Sequence, residues 1–295
     1  MRTLIFPLIW ALGWAAAPAQ PTAAELLEAR TLARIRAFAE SLDGVLGVAV
    51  IDLENGWMLG WNADTEFPQA SSIKIPIMVE VFAAARAGRL RLDDSLELTA
   101  ADLVGGSGKL QEQLKKGAVR CTVRELVLLM IRDSDNVATN KLITLLGMDS
   151  VNRSLEVMGL TRTRLQRRMM DGTAAARNEE NISTPREMAR LAEKLYRGQL
   201  VDEAASGEMI GILKTVTASM RKAIPAGIPV ASKPGSVPGV RCETGIVFVP
   251  GRPFVLSVMG TFLSDKQDPV TPVVRIVYEH FEKLARSNRY GHCVR

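Results

Sequence analysis

The chain has 295 residues, of which 47% are hydrophobic, and 37 Lys and Arg outweigh 32 Asp and Glu to give a net charge of +5. This apolar content can bury a sizeable core and excludes a disordered polyelectrolyte. The charge is mild, and its one basic cluster (Arg162, Arg164, Arg167, Arg168) has no aromatic interleaving, so nucleic acid is excluded as a partner.

Residues 1–19 read as a removable leader. Arg2 precedes an apolar run from Leu4 to Ala17, and Ala17-Pro18-Ala19 makes an A-x-A cleavage site. The run is shorter than the roughly 20 residues a span takes and is interrupted by Pro7. No Cys follows it to signal a lipid anchor. The expectation is a periplasmic or secreted protein, with no membrane span in the mature form, beginning at Gln20.

Residues 22–42 predict a helix with Leu32, Ile35, Phe38 and Leu42 on its apolar stripe. "VLGVAVIDLENGWMLGW" predicts a hairpin whose Asn55-Gly56 pair suits a type I′ turn. A mainly helical block follows. Ser71 to Ala87 is its first helix, with Gly88 as C-cap. Thr122 and Glu125 predict a capping box for a helix to about Arg132. "DSDN" breaks the chain before a helix from Val137 to Leu146, stopped by Gly147. Thr184, Pro185 and Glu187 start another, which ends at Gly198.

The last third changes character. "GIPVASKPG", "VRCETGIVFVP" and "RPFVLSVMGTF" are β-like runs separated by Gly and Pro, and a helix from about Pro269 to Arg286 follows. With strands at both ends and helices between, the expected class is α+β. A five-stranded antiparallel sheet is flanked by the N- and C-terminal helices, and a helical lobe is inserted between strands two and three. The sheet lobe is expected over about 20–66 and 205–295, and the helical lobe over about 67–204, in one catalytic domain.

The odd cysteine count (Cys121, Cys242, Cys293) leaves at least one outside any intrachain disulfide, and whether Cys121 pairs with Cys242 stays open. No C-x-x-C or His-rich spacing suggests a metal site. His280 and His292 both lie near the C-terminus, far from any nucleophile elbow, so a Ser-His-Asp triad has no support.

Chemistry is carried by three short motifs in order: Ser71-Ser72-Ile73-Lys74, then Ser134-Asp135-Asn136, then Lys233-Pro234-Gly235-Ser236. The first pattern recurs at Ser219-Met220-Arg221-Lys222, which has no companion motifs at matching distance. A serine hydroxyl is a weak nucleophile that needs a nearby base. Positions i and i+3 of a helix share a face, so Lys74 can reach Ser71. Burial and a second cation would strip the lysine of its proton. At a helix N-terminus, free N–H groups also favour negative charge developing at Ser71.

With the ordered trio, and with "FPQASSIKIP", "LMIRDSDNVATNKLI", "NISTPREMARL" and "VASKPGS", nearly all of the chain after residue 19 resembles the serine β-lactamases and penicillin-binding proteins, class A β-lactamases most of all. The resemblance implies a β-lactamase/transpeptidase-like fold and a Ser71 acyl-enzyme on a β-lactam or related amide or ester, with no metal or organic cofactor. It implies that Ser134 relays a proton to the leaving nitrogen. Asn136 holds the substrate amide or steadies Lys74, and Asp135 reads as a helix cap. Lys233 meets a substrate carboxylate, Gly235 allows close backbone approach, and the Ser71 and Ser236 N–H groups form an oxyanion hole. Arg241 is a further candidate for the carboxylate. A monomer acting on a small β-lactam or peptidoglycan-like substrate is expected.

Two departures stand out. Pro234 replaces the Thr or Ser usual between this Lys and Gly, so a hydroxyl and an N–H are lost. The family's Glu-x-x-Leu-Asn loop, whose Glu activates the deacylating water, is also missing. The segment here reads "LQRRMMDGTAAARNEENISTP", with Met169 and Met170 where that Glu belongs. Asp171 and Glu180 are the candidate replacements. The alternatives are a penicillin-binding peptidase or esterase on the same scaffold, and a non-catalytic ligand-binding domain.

Overall fold

The structure is a computed structural model and describes residues 20–294. The expected leader and its cleavage site lie outside these residues. Among those described, no helix is long and apolar enough to cross a membrane.

The N-terminal helix, Ala23–Glu40, starts at a capping box between Thr22 and Glu25. The strands Val45–Asp52 and Met58–Trp61 follow, and Val230–Val237, Val240–Val247 and Phe254–Thr261 come near the other end of the chain. They make one five-stranded antiparallel sheet in which Val45–Asp52 lies between Met58–Trp61 and Phe254–Thr261. Val230–Val237 is an edge strand, which is where a proline such as Pro234 costs no ladder bond.

The first hairpin is present, but its turn is not type I′. The Asp52 carboxylate accepts from Glu54 N–H at 2.9 Å, so the chain leaves the ladder early. Asp52 N–H then bonds to Trp57 O at 2.9 Å across a four-residue loop. Only Gly56 takes a positive φ, +74°.

One face of the sheet packs on the N-terminal helix and the C-terminal helix Val270–Arg286. Ile35, Val48, Val50, Leu256, Val273, Val277 and Phe281 form this core, with Phe254 and Phe281 stacked at 4.3 Å. The opposite face, with Ala49, Ile51, Ile246 and Val255, is covered by Ala189 and Ala192 of the helix Pro185–Tyr196. That helix keeps its Thr184 cap, while Glu187 leaves the cap to accept from Arg162 N–H and Thr163 Oγ1.

The second core is helical. Lys74–Arg86 runs through it with every residue from Lys74 to Phe82 buried, as a helix apolar on all sides requires. Around it stand Val123–Arg132, behind its expected capping box, and Asn136–Leu146, capped by Asp135. The helix Glu203–Leu213 was not legible in the sequence. Its Met209, Ile212 and Leu213 join this helical core, so a lobe boundary near residue 205 cuts through it. Cys121 and Cys242 are both buried and form no disulfide.

The contact between the terminal helices contains a buried base. His280 is 2% exposed and lies 3.0 Å from Thr31 Oγ1 through Nδ1. Thr31 gives its own proton to Leu27 O, so Nδ1–H is the donor and Nε2 is left buried without a partner. Burial pushes the imidazole down to about 4, against the pull of Asp52 and with the push of Arg252 and Lys283. The native state therefore holds His280 neutral while the unfolded chain takes up a proton below about 6.5, so this contribution to stability is lost as pH falls from 6.5 towards 4. Denaturant melts at pH 7 and pH 5 should differ by about 2 kcal/mol from this residue alone. His280→Phe should remove that part of the slope, and an unchanged slope would show that the imidazole is not the titrating group.

Candidate active site

A short 3₁₀ turn, Ala70–Ile73, leads directly into the buried helix that starts at Lys74. Gln69 anchors the approach. Its N–H donates to Asn181 O at 2.8 Å, and its side-chain Nε2 donates to Ile182 O at 3.0 Å. Ala70 is held at φ +44°, a left-handed conformation that costs a non-glycine residue about 1–2 kcal/mol. Ser134, at φ +52°, and Met170, at φ +65°, are strained in the same sense. Two of the six described non-glycine residues with positive φ, Ala70 and Met170, thus line one cavity, and Ser134 is bonded to Ser107 on its wall, as strain held at a working site would be.

This cavity, of about 370 Å³, is lined by Ser71, Ser107, Asn136, Asp171 and Ser236 among its polar residues. Met169, Met170 and Val237 form its apolar wall. Lys74 does not line the cavity and is fully buried. Its Nζ donates to Ser134 O at 2.7 Å, Ser134 Oγ at 3.1 Å and Asn136 Oδ1 at 2.9 Å. Burial holds its pKa well below the usual lysine range, and the nearby Lys233 charge lowers it further against Asp135. Among the described residues no hydrogen bond joins Lys74 to Ser71, so the Lys74 side chain meets the Ser134 hydroxyl instead.

Lys233 is 1% exposed on the edge strand. Burial lowers it to about 8, with Cys242 and the buried Glu243 opposing the shift. Glu243 lies across the ladder from Pro234, accepting from Ser232 Oγ at 2.6 Å and Met220 N–H at 3.0 Å. Gly235 presses on the serine turn: a Cβ there would lie 2.4 Å from Gln69 O and 2.9 Å from Ser71 N. Only glycine lets the strand come this close. Ser236 follows on the cavity rim.

Asp135 caps Asn136–Leu146 through Ala138 N–H at 3.0 Å and also accepts from Leu110 N–H at 2.9 Å. Arg241 pairs in register with Ser236, but its guanidinium donates to Val237 O at 3.0 Å and Val240 O at 2.9 Å, and it does not line the cavity. Glu180 is held by Arg167 through two 3.0 Å bonds and likewise does not line it. Asp171 does line it, with one oxygen accepting from Ala174 N–H at 2.9 Å as a helix cap. Met169 is fixed facing the site because Asn140 grips its backbone at both N–H (2.8 Å) and C=O (3.1 Å).

Sequence reading missed the loop over the site. Asn136 Nδ2 donates to Gly105 O at 3.3 Å, and Ser107 Oγ donates to Ser134 O at 2.7 Å. Gly105, Gly106 and Gly108 have positive φ, and a Cβ on Gly106 would strike Asn136 Nδ2 at 2.5 Å. The run "VGGSGK" was the available signal.

The chain and its fold are similar to those of known proteins. Residues 30–281 fit the model of the Beta-lactamase enzyme family. The chain is 29% identical over 259 residues to Beta-lactamase ROB-1 of Haemophilus influenzae, covering 85% of this chain and 82% of that one. A solved β-lactamase from Sphaerobacter thermophilus superposes with a TM-score of 0.79 at 31% identity, over 85% of this chain and 97% of that one. A leucine-to-glutamate variant of PBP-A, solved as an acyl-enzyme complex with penicillin G, superposes with a TM-score of 0.79 at 26% identity, over 90% and 100%. With the family model matched over residues 30–281 and solved class A relatives superposing on most of its length, the chain belongs to the β-lactamase enzyme family and has the class A fold.

Proposed function

We propose that the protein is an exported serine hydrolase that opens β-lactams through an acyl-enzyme on Ser71 and releases the product slowly. The observation that carries this is Lys74, a fully buried lysine beside a second cation, bonded to the Ser134 hydroxyl and the Asn136 amide. A neutral amine there takes the Ser71 Oγ–H proton as Oγ adds to the lactam carbonyl. The ester C–O bond forms, the lactam C–N bond breaks, and the proton passes through Ser134 Oγ to the leaving nitrogen. The Ser71 and Ser236 N–H groups receive the developing oxyanion, and Lys233 faces the substrate carboxylate. Arg241 would join that subsite only by giving up Val237 O and Val240 O. A purely ligand-trapping domain has no use for a neutralised lysine behind a serine. Residues 20–295 act as one catalytic unit, a monomer, and export follows from the leader-like residues 1–19.

Release of the acyl group is the weak step. A water attacking the Ser71 ester meets two thioethers, Met169 and Met170, which take no proton. Glu180 is committed to Arg167, and Asp171 is the one candidate loop carboxylate that lines the cavity. This favours a second reading, a penicillin-binding peptidase of low turnover, and likeness to PBP-A supports it. Rapid mixing with a chromogenic cephalosporin should give a burst of one chromophore per chain, then a steady rate about 10²–10⁴-fold slower for want of a positioned base. Asp171→Asn should slow the steady phase further and spare the burst. Fast linear turnover that survives both Asp171→Asn and Glu180→Gln would show that deacylation uses another base.

A further inference from the structure

Resting on the reading of Ser71 as nucleophile, we propose that the Cys242 thiol is a positioning residue for the oxyanion hole, clamping the backbone that aims the Ser71 N–H against the strand that carries Ser236. Cys242 is 2% exposed and faces Gly235 directly across the ladder. Its Sγ–H donates to Gln69 O at 2.9 Å, and the sulfur lies 3.2 Å from Ser72 Oγ and 3.6 Å from Gly235 O. One atom therefore touches both halves of the hole: the turn on either side of Ser71, and the strand residue before Ser236.

The clamp has work to do because the turn is strained. Gln69 O belongs to the peptide just before Ala70, whose φ of +44° turns the next peptide so that Ser71 N faces Gly235. Besides the Cys242 thiol, Ser72 N–H holds that oxygen at 2.9 Å. Ser72 in turn donates to Lys233 O at 3.2 Å, tying the same turn to the strand a second time. The glycine opposite is what makes room for the sulfur: a Cβ on Gly235 would stand 2.7 Å from it. Burial pushes the thiol up to about 11, so it stays a protonated donor across the working range and is inert as a nucleophile. If the Gln69 carbonyl lost this bond, the Ala70 peptide could relax towards an ordinary conformation and swing the Ser71 N–H off the reacting oxygen. Donors in such a hole are effective only when they sit about 2.7–3.1 Å from that oxygen.

The test uses the full chain with Cys242→Ser, Cys242→Ala and Cys242→Val. Two quantities are read: the acylation rate constant for a chromogenic cephalosporin, and the affinity for an arylboronic acid, whose tetrahedral serine adduct places an oxygen where the oxyanion forms. The Ala and Val variants should lose about tenfold in both, in parallel, with initial non-covalent binding of the cephalosporin unchanged. Cys242→Ser, which keeps a donor of similar size, should recover most of the loss. A merely structural cysteine would lower the melting temperature and leave both quantities at wild-type values below it; that result overturns the assignment, as does a Ser variant no better than Ala. Failure of the wild type to be acylated at all would instead remove the Ser71 reading on which the assignment rests.

Discussion

Ser71→Ala is expected to abolish covalent labelling by penicillin, while Ser219→Ala leaves it at one adduct per chain. Both serines stand three residues before a lysine, so the sequence pattern alone does not separate them. Their surroundings do. Lys74 is fully buried and bonded to Ser134 and Asn136, whereas Lys222 is exposed. Ser219 opens the five-residue helix Ser219–Ala223, which serves Glu243 through Met220 N–H and does not border the cavity. Intact-mass spectra of both variants after incubation with penicillin check this, and an adduct persisting on Ser71→Ala protein would count against the assigned nucleophile.

The second large effect is expected from Lys74→Met. Methionine fills the same channel without nitrogen, so the Ser71 proton has no acceptor and the relay through Ser134 loses its source. Loss of a positioned general base costs about 10²–10⁴-fold in acylation. Lys74→Arg should fare no better, because a guanidinium keeps its proton. The wild-type acylation rate should show a bell-shaped pH profile. Its acid limb appears as pH drops through the lowered pKa of Lys74 and the base becomes charged. Its alkaline limb appears near 8, as Lys233 loses the charge that holds a substrate carboxylate. In Lys74→Met the acid limb should vanish and the alkaline limb remain. An unchanged acid limb in a slow but active variant would assign the base to another group.

How far the sequence revealed this site depended on which interactions were local. Capping boxes at Thr122, the Asp135 cap and the glycine stops at Gly88 and Gly147 are set within one turn of chain, and all are present in the structure. The near-continuous apolar runs gave the sheet strands because the sheet faces a core on both sides. The Asn55-Gly56 turn misled because Asp52, an Asx residue before the expected turn, recruits the backbone first. The i, i+3 spacing placed Lys74 beside Ser71, but the 3₁₀ turn and the oxygens of Ser134 direct its amine to Ser134. Contacts between distant segments left no local trace: the sulfur of Cys242 on Gln69 O, Asn140 on Met169, and Asn136 on Gly105 each join residues at least 29 positions apart. Glu180 has Arg167, Arg168 and Arg177 within 13 positions of it, and the fold gives it to Arg167.

The most direct test is to mix wild-type protein with penicillin G for a few seconds, quench in acid, and measure the mass of the intact chain and then of its peptides. The account predicts one added penicillin per chain, carried on the peptide that contains Ser71 and still present after the free antibiotic is removed. An unmodified chain that nevertheless consumes the antibiotic, or an adduct mapped to any other residue, would contradict it.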